Sequence, residues 1–294
     1  MRPSMLTRPL ILGKNGQLGR ALADLMPQAK LMGRDELDFS LIELIPENIA
    51  FHKPSIVFNA SAYTHVDKAE EEEPLAHLIN AEAPAVIAAY CAVKGIPFIH
   101  YSTDYVFDGS GEEPWSEHNT PDPVNAYGHS KLNGEEMVLK TNVDAMIFRA
   151  SWVYDAQGNN FVNTMLRLGK EREELGVVDD QIGGPTYAPH LAAASLLAVE
   201  NAARSARFPT GIYHLGGCGE PISWHGFAEA IFEEYSGELA IKNVKAIPTS
   251  EYRTLAERPL NSRLNCSKAK TILGVEMPDW RDGLKECMKE IEKA

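Results

Sequence analysis

Tyr127 and Lys131 stand four residues apart, and on a helix that spacing puts both side chains on one face. An ammonium beneath a phenol favours the ionised form. A group whose ordinary pKa is about 10 is thereby brought toward a range where it can exchange a proton with a sugar alcohol. Thr103, just beyond the apolar run 96–102, would add a short hydroxyl to hold the substrate oxygen. Together they are the parts a hydride transfer at a carbinol carbon needs. The pair alone also arises by chance, with the tyrosine packed and the lysine solvated, so the weight falls on the elements that would position it.

Leu10-Ile11-Leu12 opens into Gly13-Lys14-Asn15-Gly16-Gln17-Leu18-Gly19, and residues 20–26 then have helical periodicity. Strand, glycine turn and helix in that order suit a dinucleotide, because the backbone can approach a pyrophosphate at the helix N-terminus. The spacing is G-x-x-G-x-x-G rather than G-x-G-x-x-G, and a plain tight turn is the bland alternative. A second strand, 29–32, ends at Gly33-Arg34-Asp35-Glu36. This is where an acid would select NAD and a base would admit the 2'-phosphate of NADP. Arg34 leans toward NADPH, with Asp35 beside it, and Asp38 and Phe39 are placed to hold adenine.

Strand 55–58 ends in Asn59-Ala60-Ser61-Ala62-Tyr63-Thr64, where small residues let the backbone pass close to a flat ligand. The acidic run 67–73 opens a helical stretch to Lys94 and favours its N-terminus. Within it, Asn80 reads either as an anchor for an active-site water or as a satisfied core amide. Strand 96–102 delivers Thr103, the Tyr127 helix reaches about Asn142, and strand 145–149 follows. This alternation predicts an α/β fold with a doubly wound parallel Rossmann sheet. Residues 1–9 read as a loose arm before it.

From Ser151 the character changes to a smaller, interleaved C-terminal lobe. Trp152 and Asn160 suit stacking on and hydrogen bonding to a sugar or base, although Trp152 capping the core is an equal alternative. Arg258 and Arg263 place two guanidinium forks in one loop, fit for a diphosphate. Further helices are expected at 189–203, 223–235, 267–273 and 282–293, and strands at 211–215 and 242–247. The division is 1–150 for the nucleotide-binding domain, with 188–215 returning to it, and 151–187 plus 216–294 for the sugar-nucleotide lobe.

The chain has 294 residues, 44% hydrophobic and 23% charged, with a net charge of -13. That balance argues against a nucleic-acid partner, whose affinity would come from clustered Lys and Arg. It leaves room for a small anion in a locally basic pocket. Cys91, Cys218, Cys266 and Cys287 have no metal-binding or redox spacing. No run approaches the roughly 20 apolar residues of a spanning helix. A cytoplasmic protein without a membrane partner is expected.

The chain resembles the extended short-chain dehydrogenase/reductases and, among them, the dTDP-4-dehydrorhamnose reductase branch. The carriers are the glycine turn 13–19, Val66-Asp67-Lys68-Ala69-Glu70, His100 to Phe107, Tyr127 to Lys131, Ser151-Trp152-Val153-Tyr154, Gly158 to Phe161, Asp180 to Thr186 and Arg258 to Leu264. The resemblance implies reduction of the C4 ketone of dTDP-4-dehydro-L-rhamnose to dTDP-L-rhamnose, with NADPH, or alternatively NADH, as cofactor. It implies that Gly16, Gln17, Leu18, Asp38, Phe39, Ala62, Tyr63, Thr64 and Tyr101 line the cofactor. Thr103, Asp104 and Trp152 would meet the sugar nucleotide; Tyr127 would donate the proton, and Lys131 would hold the ribose and tune Tyr127. Some relatives hold Mg2+ at a dimer interface through glutamates that align with Ala21 and Pro189, neither of which can ligate a hard cation. The metal is therefore not carried over, and a homodimer stays an open alternative. Two other readings share the motifs: a non-catalytic regulatory subunit like that of methionine adenosyltransferase, and a related nucleotide-sugar reductase or epimerase.

Overall fold

The computed structural model describes residues 5–293. In chain order the first half comprises β1 (Pro9–Leu12), α1 (Gln17–Leu25), β2 (Lys30–Met32), α2 (Ile45–His52), β3 (Ile56–Asn59), α3 (Val66–Ala69), α4 (Glu73–His77), α5 (Ala83–Lys94), β4 (Phe98–Thr103), α6 (Ala126–Lys140) and β5 (Ala145–Ala150). The second half adds β6 (Val153–Tyr154), α7 (Phe161–Glu171), β7 (Glu174–Val178), β8 (Ile182–Gly183), β9 (Thr186–Tyr187), α8 (Ala188–Arg204), β10 (Gly211–His214), β11 (Ile222–Ser223), α9 (Trp224–Glu234), β12 (Asn243–Ile247), β13 (Asn261–Ser262) and α10 (Trp280–Ile291).

Six strands form one sheet in the order β10-β5-β4-β3-β1-β2, and every pairing in it is parallel. The expected doubly wound parallel sheet is borne out. Its strands are apolar at successive positions because both faces are covered. Ile11, Phe58, Ile99, Met146 and Phe148 pack with Leu22 of α1 and Leu191 of α8 on one face. Leu10, Leu12, Val57, Phe98 and Ile147 pack with Ile49 of α2 and Ile87 of α5 on the other. The step from β3 to β1 reverses the direction in which the sheet is built, and ligands bind at the strand C-termini beside such a step.

Outside the sheet, short strands form the sets β11-β8-β13, β12-β7 and β6-β9. They share a core with α7, α9 and α10 in which Tyr154, Met165, Phe227 and Trp280 meet. Between these parts, α8 packs with α1 against the sheet and β10 pairs with β5, so the chain crosses back before finishing the smaller lobe.

Three local expectations are corrected. The N-terminal arm is pinned from Met5 onward: Met5 is buried, its carbonyl accepts from Ser55 Oγ at 2.6 Å, and Arg8 N donates to the same hydroxyl at 2.9 Å. Residues 1–4 of that arm lie outside the described residues. The acidic run does not open one continuous helix; α3 ends at Ala69, and Pro74 restarts the chain as α4 in the first helical turn, where a missing N–H costs nothing. The helical stretch Glu73–Lys94 does reach the length and apolarity of a membrane-crossing segment. Here its apolar residues Ala83, Ile87, Ala88 and Cys91 are fully buried in the domain core.

Candidate active site

The glycine turn is set by close backbone approach. Gly13 has φ +91°, and a Cβ there would lie 2.7 Å from the Ala60 carbonyl carbon; a Cβ on Gly19 would lie 2.0 Å from Gly13 O. Only glycine fits both places. Gly16 N donates to Gly13 O at 3.0 Å and forms the N-cap of α1. A Cβ on Gly16 would reach no protein atom closer than 3.4 Å, so the crowding that fixes the other two is absent there.

This turn borders a cleft of about 540 Å3, whose lining includes Gly13, Gly16, Arg34, Asp38, Phe39, Ala62, Tyr63 and Thr64. Arg34 is exposed over 79% of its side chain and pairs with Asp38 at 3.4 Å. Hydrogen bonds from the Ser40 N–H and hydroxyl hold the Asp38 carboxyl below its usual pKa. Gln17 and Leu18 face elsewhere: Gln17 Nε2 donates to Val153 O at 3.4 Å, and Leu18 packs against the core. Tyr101 is buried, and its main-chain carbonyl is the group that meets the site.

Tyr127 is brought beside Thr103 by how α6 begins. Asn125 Oδ1 accepts from Gly128 N at 2.8 Å and caps the helix, while its Nδ2 donates to Glu257 O at 2.8 Å. Gly128 lets the helix seat on the 3-10 turn after β4, since a Cβ would fall 2.2 Å from Tyr105 O. Tyr127 then stands edge-on to Tyr105, with ring centroids 5.6 Å apart. Below it, Ser130 Oγ donates to Tyr127 O at 2.7 Å and accepts from Asn80 Nδ2 at 2.9 Å. Asn80 also bonds both main-chain groups of Tyr63, so of its two readings the satisfied core amide is the one its protein contacts describe.

The electrostatics differ from the sequence expectation. Burial raises the Tyr127 pKa above the ordinary tyrosine range, the charge of Asp104 adds to this, and a hydrogen bond with Thr103 works in the opposite direction. The Lys131 ammonium is buried and donates to Tyr101 O at 2.7 Å, and burial lowers its own pKa to about 8, with Glu135 opposing the shift. Asp104 is pushed up to about 6 by burial, offset by hydrogen bonds from Ser262 and Thr103.

Sequence reasoning missed what lies beneath. Arg149, at 2% side-chain exposure, donates to Glu135, at 1%, from Nε at 2.8 Å and from Nη2 at 2.5 Å. Glu135 falls one helical turn after Lys131, and Arg149 interrupts an otherwise apolar strand; both signals were present in the sequence.

A second cavity, of about 260 Å3, is bordered by Asp67, whose chain neighbours Thr64, His65 and Lys68 border the first. Its walls are Tyr105, Phe161, Met165, Gln181, Trp224 and Arg258, with Tyr252 and Thr254 at the side. Arg258 donates to Asp67 at 2.7 Å and to the Tyr105 hydroxyl at 3.2 Å. Trp152, at φ +50°, stacks on Trp224 with centroids 3.5 Å apart. Of the residues expected to meet the substrate, Arg258 lines this wall; Thr103, Asp104, Trp152, Asn160 and Arg263 do not. Arg263 turns its guanidinium to Asn261 Oδ1 at 3.0 Å, and Asn160 caps α7 through Asn163 N at 3.1 Å. Gln181, Trp224, Tyr252 and Thr254 were not anticipated; Ser223, which caps α9 directly before Trp224, was the one local signal.

A parallel sheet with a glycine turn after its first strand and a Thr, Tyr and Lys set beyond its fourth defines a short-chain dehydrogenase/reductase of the extended type. The family model described as "RmlD substrate binding domain" matches residues 7–293, and the chain belongs to that family. It is 42% identical over 293 residues to a dTDP-4-dehydrorhamnose reductase of Burkholderia thailandensis, covering 96% of this chain and 98% of that protein. The dTDP-4-dehydrorhamnose reductase of Escherichia coli K12 is also 42% identical, over 295 residues, covering 96% and 97%. A crystal structure of dTDP-4-dehydrorhamnose reductase from Bacillus anthracis in complex with NADP aligns with TM-score 0.89 at 35% identity, covering 96% of this chain and 99% of that one. Among the described residues, no group of three or more His, Cys, Asp or Glu side chains is placed to hold a metal ion.

Proposed function

We propose that the chain reduces the C4 ketone of dTDP-4-dehydro-L-rhamnose to dTDP-L-rhamnose, with NADPH as reductant. The observation that carries this reading is Tyr127, a phenol kept protonated by burial beside Thr103 and packed edge-on against Tyr105, which lines the second cavity. Family membership and near-full-length similarity to named reductases support the substrate.

The bound cofactor would supply a hydride to C4. The glycine turn fits its pyrophosphate, since its backbone is held open and faces the N-terminus of α1. Arg34 stands at the end of β2, where a 2'-phosphate would lie, and Asp38 and Phe39 border the adenine end. Tyr101 O and Lys131 form the floor on which the nicotinamide ribose would rest.

As C4 gains a hydride, negative charge builds on O4, and Tyr127 donates its proton there. A raised pKa suits a donor, because the group must be protonated when the ketone arrives. Thr103 holds the same oxygen by hydrogen bond. Arg258 would turn part of its fork from Asp67 to the diphosphate, and the Trp152-Trp224 stack offers apolar faces for the sugar nucleotide. The four cysteines carry no bridge, which fits a reducing compartment, and the cytoplasm is the location this reading assigns.

The test mixes pure protein with NADPH and dTDP-4-dehydro-L-rhamnose and follows nicotinamide absorbance and the appearance of dTDP-L-rhamnose. Absence of substrate-dependent oxidation by folded, NADPH-binding protein would overturn the assignment in favour of a binding role.

A further inference from the structure

Two thiols lie outside the machinery described above and converge on one point. Gly216 follows β10, and its carbonyl lies 4.0 Å from Cys218 Sγ and 3.8 Å from Cys266 Sγ. Gly216 N also donates to Cys266 Sγ at 3.4 Å. Neither cysteine floats on a loose loop. Cys218 N donates to Pro278 O at 3.2 Å and Cys218 O accepts from Trp280 N at 2.9 Å, while Cys266 O accepts from Lys270 N at 3.3 Å. Both side chains are partly accessible, whereas Cys91 and Cys287 are buried.

We propose that Cys218 and Cys266 are an oxidative modification site, closing to an intramolecular disulfide when the protein meets a hydroperoxide. Gathered at one carbonyl, the two thiols interact, which lowers the pKa of Cys218 and raises that of Cys266. Cys218 is thus the nucleophile and Cys266 the resolving partner. The Cys218 thiolate attacks one oxygen of hydrogen peroxide and breaks the O–O bond, giving a sulfenic acid and a hydroxide that takes up the proton the thiol gave up and leaves as water. The Cys266 thiol then attacks that sulfur and displaces a second water, so two thiols are oxidised by two electrons and one peroxide is reduced. Burial pushes Cys91 and Cys287 up to about 12, so they remain as inert internal standards.

The position gives the bond a consequence. Residues 219–265 carry Trp224, Tyr252, Thr254 and Arg258, all of which line the second cavity. A bond between Cys218 and Cys266 would tie together the two ends of that segment. The cavity wall would be clipped to the sheet by a covalent link in addition to packing.

The experiment treats full-length protein with hydrogen peroxide, blocks remaining thiols with N-ethylmaleimide and maps peptides without reduction. The expected result is one peptide pair joining Cys218 to Cys266, a denatured thiol count falling from four to two, and full recovery with dithiothreitol. Cys218→Ser and Cys266→Ser, checked for folding by far-ultraviolet dichroism, should each show no linked pair. Four titratable thiols after peroxide in the wild type would overturn the proposal, as would a bond only between molecules. Irreversible oxidation of Cys218 with Cys266 left free would do the same.

Discussion

Tyr127→Phe separates chemistry from architecture more cleanly than any other change at this site. The variant keeps the ring, so the edge-on contact with Tyr105 at 5.6 Å survives and no cavity opens in α6. What goes is one hydroxyl and its hydrogen bond with Thr103, worth about 1 kcal/mol to folding. The loss in the reaction is larger, because a positioned general acid contributes about 100- to 10,000-fold, or roughly 3 to 5 kcal/mol of barrier. We expect single-turnover oxidation of NADPH with saturating sugar nucleotide to slow by that factor, while the NADPH dissociation constant changes by less than about threefold. A wild-type single-turnover rate in the variant would refute Tyr127 as proton donor. A slow rate accompanied by lost cofactor binding would instead place Tyr127 in the architecture and remove the mechanistic argument.

Lys131 has a pKa lowered to about 8, so its charge is present below that pH and lost as pH rises through it; kcat/KM should fall across the same window, and a flat profile from pH 7 to 9 would contradict this. Glu135→Gln removes the carboxylate that opposes this shift and should move the alkaline limb to lower pH. It also leaves Arg149 buried without its partner, which should destabilise the fold by about 3 to 5 kcal/mol in urea titrations; unchanged stability would mean the pair is solvated. Arg34→Ala should weaken NADPH more than NADH, measured as dissociation constants, and equal weakening would remove the 2'-phosphate contact. Trp224→Ala should raise KM for the sugar nucleotide with little change in NADPH affinity, and an unaltered KM would take the aromatic stack out of substrate binding.

The sheet was legible because its signals are local. Runs of four to six mostly apolar residues specify β1, β3, β4 and β5 without reference to anything distant, and the first two are each followed by a glycine or small-residue turn. Apart from Arg258, the substrate wall was not legible, because Gln181, Trp224 and the neighbours Tyr252 and Thr254 come from separate segments and share no spacing. Asn160 and Arg263 were recognised as polar groups in turn-rich sequence, yet both spend their hydrogen bonds on their own loops. For Asn160 a better reading was available, since an Asn directly before an apolar helical run is an N-cap signal. The partner of Lys131 could not have been read from residue types at all. It is a main-chain carbonyl, Tyr101 O, and every residue has one.

The order in which Lys131 and Tyr127 lose their protons shows how the lysine can matter to a phenol that stays protonated at rest. Lys131 titrates near 8, and burial moves Tyr127 above the ordinary tyrosine range, so on raising the pH the ammonium is lost first. By the pH at which free Tyr127 would ionise, no cation remains on Lys131 to favour it, and the measured phenol pKa would carry no trace of the lysine. At neutral pH the order is different. Both groups are then protonated, and the phenolate appears only as O4 takes the proton, with the ammonium one helical turn away. Its stabilisation is confined to the charge formed during reaction and is absent from the resting enzyme, which is the condition for an interaction to raise kcat instead of merely tightening a ground state. Glu135 and Arg149 complete this arrangement from below: the carboxylate opposes the desolvation of Lys131, and the guanidinium holds the carboxylate by two hydrogen bonds in a place water does not reach.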